Sequence, residues 1–169
     1  LPKIENKPKP NTMKILISAL IFCAFTLCSA QQTVQQNPKF DQKLADSLGA
    51  DRLGMKNYML VILKTGPKDK EITDKSKREE LFKGHFSNMK EMGKSGKLKM
   101  AGPFATSNKL GYRGIFLLDV KTEDEARTLI QNDPTIKNGI FDVEILPWYG
   151  SAAIPMHQKY HEKIAKENP

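Results

Sequence analysis

Tyr58-Met59-Leu60-Val61-Ile62-Leu63 is an unbroken apolar run of strand length, stopped by Gly66-Pro67, and its reading decides the fold. A half-exposed strand alternates apolar with polar side chains, so a run that is apolar at every position reads as a central strand covered on both faces. Downstream the period becomes helical. From Lys75, the residues Leu81, His85, Met89 and Met92 fall on one stripe with Phe82 and Phe86 on its shoulder, and Gly93 and Gly96 are placed to end the helix. Leu98, Met100 and Gly102-Pro103-Phe104 read as a short strand leaving through a tight turn, followed by a third strand from Gly114 to Val120. Thr122 with Glu125 forms a capping box for a helix that turns Ala126, Leu129 and Ile130 inward and closes at Asp133-Pro134. Phe141, Val143 and Ile145 then alternate with Asp142 and Glu144, the period of a half-exposed last strand.

The order strand, helix, strand, strand, helix, strand predicts an α+β, ferredoxin-like protomer (βαββαβ) over residues 57–149, with both helices on one face of an antiparallel sheet. The other face has to be hidden as well. The apolar residues pointing both ways from Tyr58 to Leu63 predict that a second subunit's sheet hides it, giving a homodimer of the dimeric α+β barrel type with a cavity for a small organic ligand. Residues 31–56 form an N-terminal extension that opens with the glutamine-rich Gln31 to Gln36 and carries Phe40, Leu44 and Leu48 at helical spacing, a segment expected to dock on the domain. Residues 150–169 follow Trp148-Tyr149-Gly150, aromatics that suit a subunit seam or the roof of a pocket. They place His157, Tyr160, His161 and Ile164 at the spacing of a C-terminal helix.

Ahead of the extension, Met13 to Ala30 has the layout of a secretory signal: Lys14, an apolar stretch from Ile15 to Leu27, and Cys28-Ser29-Ala30 as a small-residue cleavage edge. About thirteen apolar residues are too few for a stable bilayer anchor. The folded part is therefore expected to begin near Gln31, outside the cytoplasm, in a periplasm or the extracellular space, with no membrane span left after cleavage. Residues 1–12, with Pro2, Pro8 and Pro10, read as an upstream extension, and Met13 as a candidate start.

Both cysteines, Cys23 and Cys28, sit inside the apolar stretch, so the exported part would carry no disulfide, thiolate nucleophile or cysteine-ligated metal. Phe25 and Leu27 do not fit the residues expected before an acylated cysteine, which argues against a lipoprotein. Losing Lys3, Lys7, Lys9, Lys14 and Glu5 with the first thirty residues lowers the net charge from +8 to +5. The remaining basic residues are scattered rather than gathered into a stripe with interleaved aromatics, so no nucleic-acid partner is expected.

Motifs for cofactors and common nucleophiles are missing: there is no phosphate-cradling glycine loop, no serine elbow and no Cys-x-x-Cys pair. His85 is the outstanding polar residue. It lies on the inward stripe of the first helix beside Gly84, and it reads either as a buried histidine bonded to backbone or as a group that moves a proton near neutral pH when a carboxylate holds its other nitrogen. Asp133 is a candidate for that carboxylate, or simply a turn aspartate. Ala101-Gly102-Pro103-Phe104 is a rigid bend able to offer an amide to a developing oxyanion, or a plain turn. His157 and His161 are four apart, but no Glu-x-x-His pair accompanies them and no metal site is expected.

Together, Lys83-Gly84-His85-Phe86, the stretch Gly96 to Phe104, Arg113-Gly114-Ile115-Phe116, and Asn132-Asp133-Pro134 with Gly139 resemble the YCII-related (YciI-like) family over roughly residues 57–149. The resemblance implies a ferredoxin-like protomer paired into a barrel. It also implies a pocket in which His85 is the acid or base, Asp133 its partner, and Gly102 and Pro103 part of the lining. One position departs: many members place an arginine three residues before the histidine, where this chain has Phe82, leaving Arg78 or Arg113 to supply an anion-binding charge.

Two functions follow. In the first, a small lyase or isomerase uses His85 and Asp133 to move a proton on a small cyclic or aromatic organic acid or phenol, without a cofactor. In the alternative, the same cavity holds a ligand in a non-catalytic accessory protein of the envelope, a reading that a His85–Asp133 gap beyond about 5 Å would favour. A third use of His85, as an iron ligand to haem, would show in an absorption spectrum.

Overall fold

In the computed structural model, which describes residues 37–167, the apolar run lies inside an eleven-residue strand, β1 (Met55–Thr65). The signal-like segment and the upstream extension lie outside the described residues. The described residues fall into two units, divided between Phe40 and Asp41. Of the first, only residues 37–40 are described, a turn closed by the Phe40 amide on the Asn37 carbonyl at 3.0 Å.

The second unit opens with helix α1 (Gln42–Leu48), capped by the Asp41 carboxylate and ended by Gly49 at φ 67°. It buries none of its own residues. After β1 come α2 (Lys75–Lys94), β2 (Leu98–Pro103), β3 (Tyr112–Leu118), α3 (Glu123–Ile130), a one-turn helix α4 (Pro134–Lys137) and β4 (Phe141–Ser151). A 3-10 turn (Ile154–His157) and helix α5 (Gln158–Ile164) complete it.

Local chemistry explains the boundaries. The Asp74 carboxylate accepts from the Lys77 amide at 2.6 Å and starts α2. Gly93 stays helical, and Gly96, at φ 70°, takes the left-handed turn. Half of the expected capping box forms: Thr122 accepts from the Glu125 amide at 3.2 Å, while the Glu125 carboxylate accepts from the amide of Lys121, one residue before the cap, at 2.7 Å. Pro103 fits inside β2 rather than after it, because β2 is an edge strand and the missing N–H breaks no ladder on its outer side.

The four strands pair antiparallel in the order β2-β3-β1-β4, as the ferredoxin-like alternation requires. The barrel expected from the sequence is not formed. The sheet is open, with β2 and β4 as its edges among the described residues, and four strands cannot curl far enough to join their own edges. Apolar residues on both faces of β1 therefore do not signal closure.

Met59, Val61 and Leu63 face the helices with Phe116, Leu118 and Ile145, and pack against Leu81 and Met92 of α2 and Ala126 and Ile130 of α3. On the opposite face Leu60 and Ile62 are half-buried beside Leu117, Ile115 and Leu146. Tyr58, on the same face, is fully buried: its ring lies 6.0 Å from that of Trp148, and its hydroxyl donates to the Ser151 carbonyl at 3.1 Å. The tail then passes from β4 at one edge to β2 at the other, where the Gln158 amide reaches the Leu98 and Lys99 carbonyls at 3.4 and 3.3 Å.

Candidate functional site

α2 carries His85 inward on the buried stripe with Leu81 and Met92, and α4 brings Asp133 to meet it. The two helices come close because Gly84 has no side chain: a Cβ there would stand 2.5 Å from the Pro134 Cγ. Gly84 thus backs onto α4 and does not line the cavity.

His85 Nδ1 lies 2.6 Å from Asp133 Oδ2, with the Asp133 side chain fully buried and that of His85 8% exposed. Asp133 does two tasks. Its second oxygen, Oδ1, accepts from the Thr135 amide at 2.9 Å, capping α4, and from the Thr135 hydroxyl at 2.6 Å. That hydroxyl, its proton spent on Asp133, turns its oxygen to His85 Nδ1 at 3.3 Å. Nδ1 thus faces acceptors, which fixes the proton on Nδ1 and leaves the lone pair on Nε2. Nε2 has no protein hydrogen-bond partner among the described residues.

Burial alone would raise the Asp133 carboxyl, yet the hydrogen bonds from His85 and Thr135 and the attraction of His85 outweigh it and hold the carboxyl below its ordinary range. A carboxylate depressed in the folded state stabilises the fold fully above its unfolded value, near pH 4, and loses that contribution as pH falls through the lower folded value. Asp133→Asn is therefore expected to flatten the acid side of the stability curve, measured by denaturant unfolding between pH 3 and 7. An unchanged acid limb would contradict the coupling.

The imidazole sits in an aromatic box. Its ring stacks on Phe116 at 5.8 Å and meets Phe82, Phe86 and Phe141 edge-on at 6.1, 5.4 and 5.5 Å. Beside it lies a cavity of about 330 Å³ lined by His85, these four phenylalanines, Leu63, Met89, Gly102, Pro103, Phe104, Arg113, Gly114 and Ile115. The volume suits a small ligand. Gly102 and Pro103 reach it from within β2, not from a bend, and the Phe104 amide is committed to the Arg113 carbonyl at 2.9 Å.

The two arginines differ. Arg78 is spent holding the β1–α2 loop, donating to the Asp69 and Ile72 carbonyls at 2.8 and 3.1 Å and to the Asp69 carboxylate at 2.8 Å. Arg113 lines the cavity, its guanidinium 5.5 Å from the Phe141 ring. His157 is elsewhere, its Nδ1 donating to the Ile154 carbonyl at 2.6 Å, and no metal-binding group of three or more carboxylate, histidine or cysteine residues occurs among the described residues.

Two contributors escaped the sequence reading, Thr135 and Asp69. Thr135 had a usable signal, since a threonine two residues after a capping aspartate can bond back to its carboxylate. Asp69 had none, because a loop aspartate between two lysines looks like any solvated charge.

No curated protein matches the chain. Among solved structures it is similar to 5-chloro-2-hydroxyhydroquinone dehydrochlorinase from Burkholderia phenoliruptrix AC1100, in complex with 2,5-dihydroxybenzoquinone, at 20% identity over 54% of this chain and 92% of that chain, with a TM-score of 0.40. The YCII-related domain matches residues 58–149, more than half of the chain, from within β1 to within β4 and including both His85 and Asp133, and the protein belongs to that family.

Proposed function

We propose that the protein is a small-molecule lyase or isomerase in which His85, oriented by Asp133, moves a proton on a small cyclic or aromatic organic acid or phenol. The supporting observation is the buried 2.6 Å contact between His85 Nδ1 and Asp133 Oδ2 on a ring that also lines a cavity. Asp133 keeps Nδ1 protonated and stabilises the imidazolium that forms when Nε2 accepts a proton from the ligand. The phenylalanine walls exclude water around the transfer, and His85 can return the proton at another ligand atom or to solvent. The contact lies far inside the separation that would favour a plain binding role.

The test is deuterium incorporation from heavy water into a panel of cyclic acids and phenols by the full chain. Incorporation above background supports the reading, whereas tight binding without exchange would favour the non-catalytic alternative. The proposal includes export, supported by the lysine-led apolar stretch at residues 13–30. Among the described residues no helix is long and apolar enough to cross a membrane. It also includes a homodimer, supported by the apolar sheet face that carries Leu60, Ile62 and Leu146.

A further inference from the structure

We propose that Arg113 selects the ligand, and that the site takes an aromatic acid whose ring lies beside His85 while a carboxylate on a short side arm lies on the Arg113 fork. The inference rests on the reading of the His85 cavity as the ligand site and adds which end of the molecule is held, and by what.

Phe141 relates the two groups. The His85 ring and the Arg113 guanidinium each lie 5.5 Å from the Phe141 ring, so proton acceptor and cation border one hollow. Arg113 and Phe104 also line a second, polar hollow of about 380 Å³ beside the β2–β3 loop, whose walls include Thr106 and Ser107. The first hollow is mostly aromatic and the second mixed and more polar, with the cation shared by both. Such a pair matches a molecule with an aromatic end and a charged end.

Arg113 is not saturated. Among the described residues its guanidinium makes one side-chain hydrogen bond, Nη1 to Asp69 Oδ2 at 3.4 Å, near the limit of contact. Asp69 is more firmly held by Arg78, at 2.8 Å through Oδ1. Two guanidinium groups share one carboxylate, which leaves an excess positive charge on the cavity wall. A ligand carboxylate can take the planar fork in two parallel bonds, releasing Asp69 to Arg78 alone. The hydroxyls of Thr106 and Ser107, without hydrogen-bond partners among the described residues, belong to residues that line this second hollow and can serve the carboxylate's outer lone pairs.

Calorimetric titration of the full chain with 3-phenylpropanoate and with its neutral amide, 3-phenylpropanamide, tests this. The acid should bind at least about ten-fold more tightly than the amide, and Arg113→Gln should bring the ratio to about one. Asp69→Asn keeps an oxygen for Arg78 but removes the competitor, so it should tighten acid binding roughly three-fold and leave the amide unchanged, a gain that misfolding cannot imitate. The inference is overturned if wild-type protein binds neither probe, if Arg113→Gln keeps the preference, or if Asp69→Asn gives no gain. His85→Gln separates the two readings: a variant that keeps both exchange activity and acid preference removes only the proton-transfer proposal, while loss of the preference in Arg113→Gln alone supports the present one.

Discussion

His85→Gln is expected to lower proton exchange by roughly 100- to 10,000-fold, the usual contribution of a positioned acid–base group, while the chain stays folded. Glutamine is polar and of similar reach, so its amide N–H can still donate to Asp133, whose other oxygen remains bound by Thr135. What it cannot do is take a proton. Deuterium incorporation reports the chemistry and a melting curve reports the fold, so the two effects separate. Unchanged exchange in a folded variant would remove His85 from the reaction.

Gly66→Ala should have the largest effect on stability, a loss of about 2–4 kcal/mol, seen as a fall in melting temperature on the order of 10 °C. Gly66 ends β1 where the chain passes against the loop leading into β4. Its amide donates to the Ile140 carbonyl at 2.7 Å, and a Cβ would stand 2.3 Å from the Gly139 carbonyl oxygen. Both walls of that contact are backbone, so neither yields as a flexible side chain would. Gly102→Ala supplies the contrast, since a Cβ there meets nothing within 4 Å. That variant should keep its stability within about 0.5 kcal/mol of wild type. Equal losses at the two positions would mean that general strand entropy, rather than the close approach, governs the effect.

These two sites mark where the sequence was legible. Strand and helix identities followed from period alone: the stripe through Leu81, His85 and Met92 and the alternation from Phe141 to Ile145 are local signals, and both survive in the fold. From the residues the meeting of His85 with Asp133 was one of two open readings, and only the family resemblance favoured it, because the residues are 48 apart and no local rule brings α2 to α4. Gly84 stood out beside His85 in the sequence, but only the fold shows what its absent side chain admits, the Pro134 ring of α4.

The barrel failed for a physical reason. Apolar residues on both faces of β1 demand cover, but lateral neighbours such as Leu117, the Trp148 ring over Tyr58 and the crossing tail provide part of it without any closure of the sheet. The helix α4 was missed because a four-residue turn has too short a period to register, and Asp133-Pro134 looked only like the end of α3. Arg78 and Arg113 were indistinguishable in sequence. The loop carbonyls of Asp69 and Ile72 consume the first and leave the second facing the hollow.

The proposed proton transfer depends on which nitrogen of one ring carries the proton. Nitrogen-15 NMR of the His85 imidazole at neutral pH, with Asp133→Asn as the reference, measures it directly. The geometry predicts a proton on Nδ1 and a bare Nε2 in the wild type, with the proton moved to Nε2 when the asparagine amide donates to Nδ1. A wild-type ring protonated on Nε2 at neutral pH would contradict this assignment, because the nitrogen left free by Asp133 would then have no lone pair to offer.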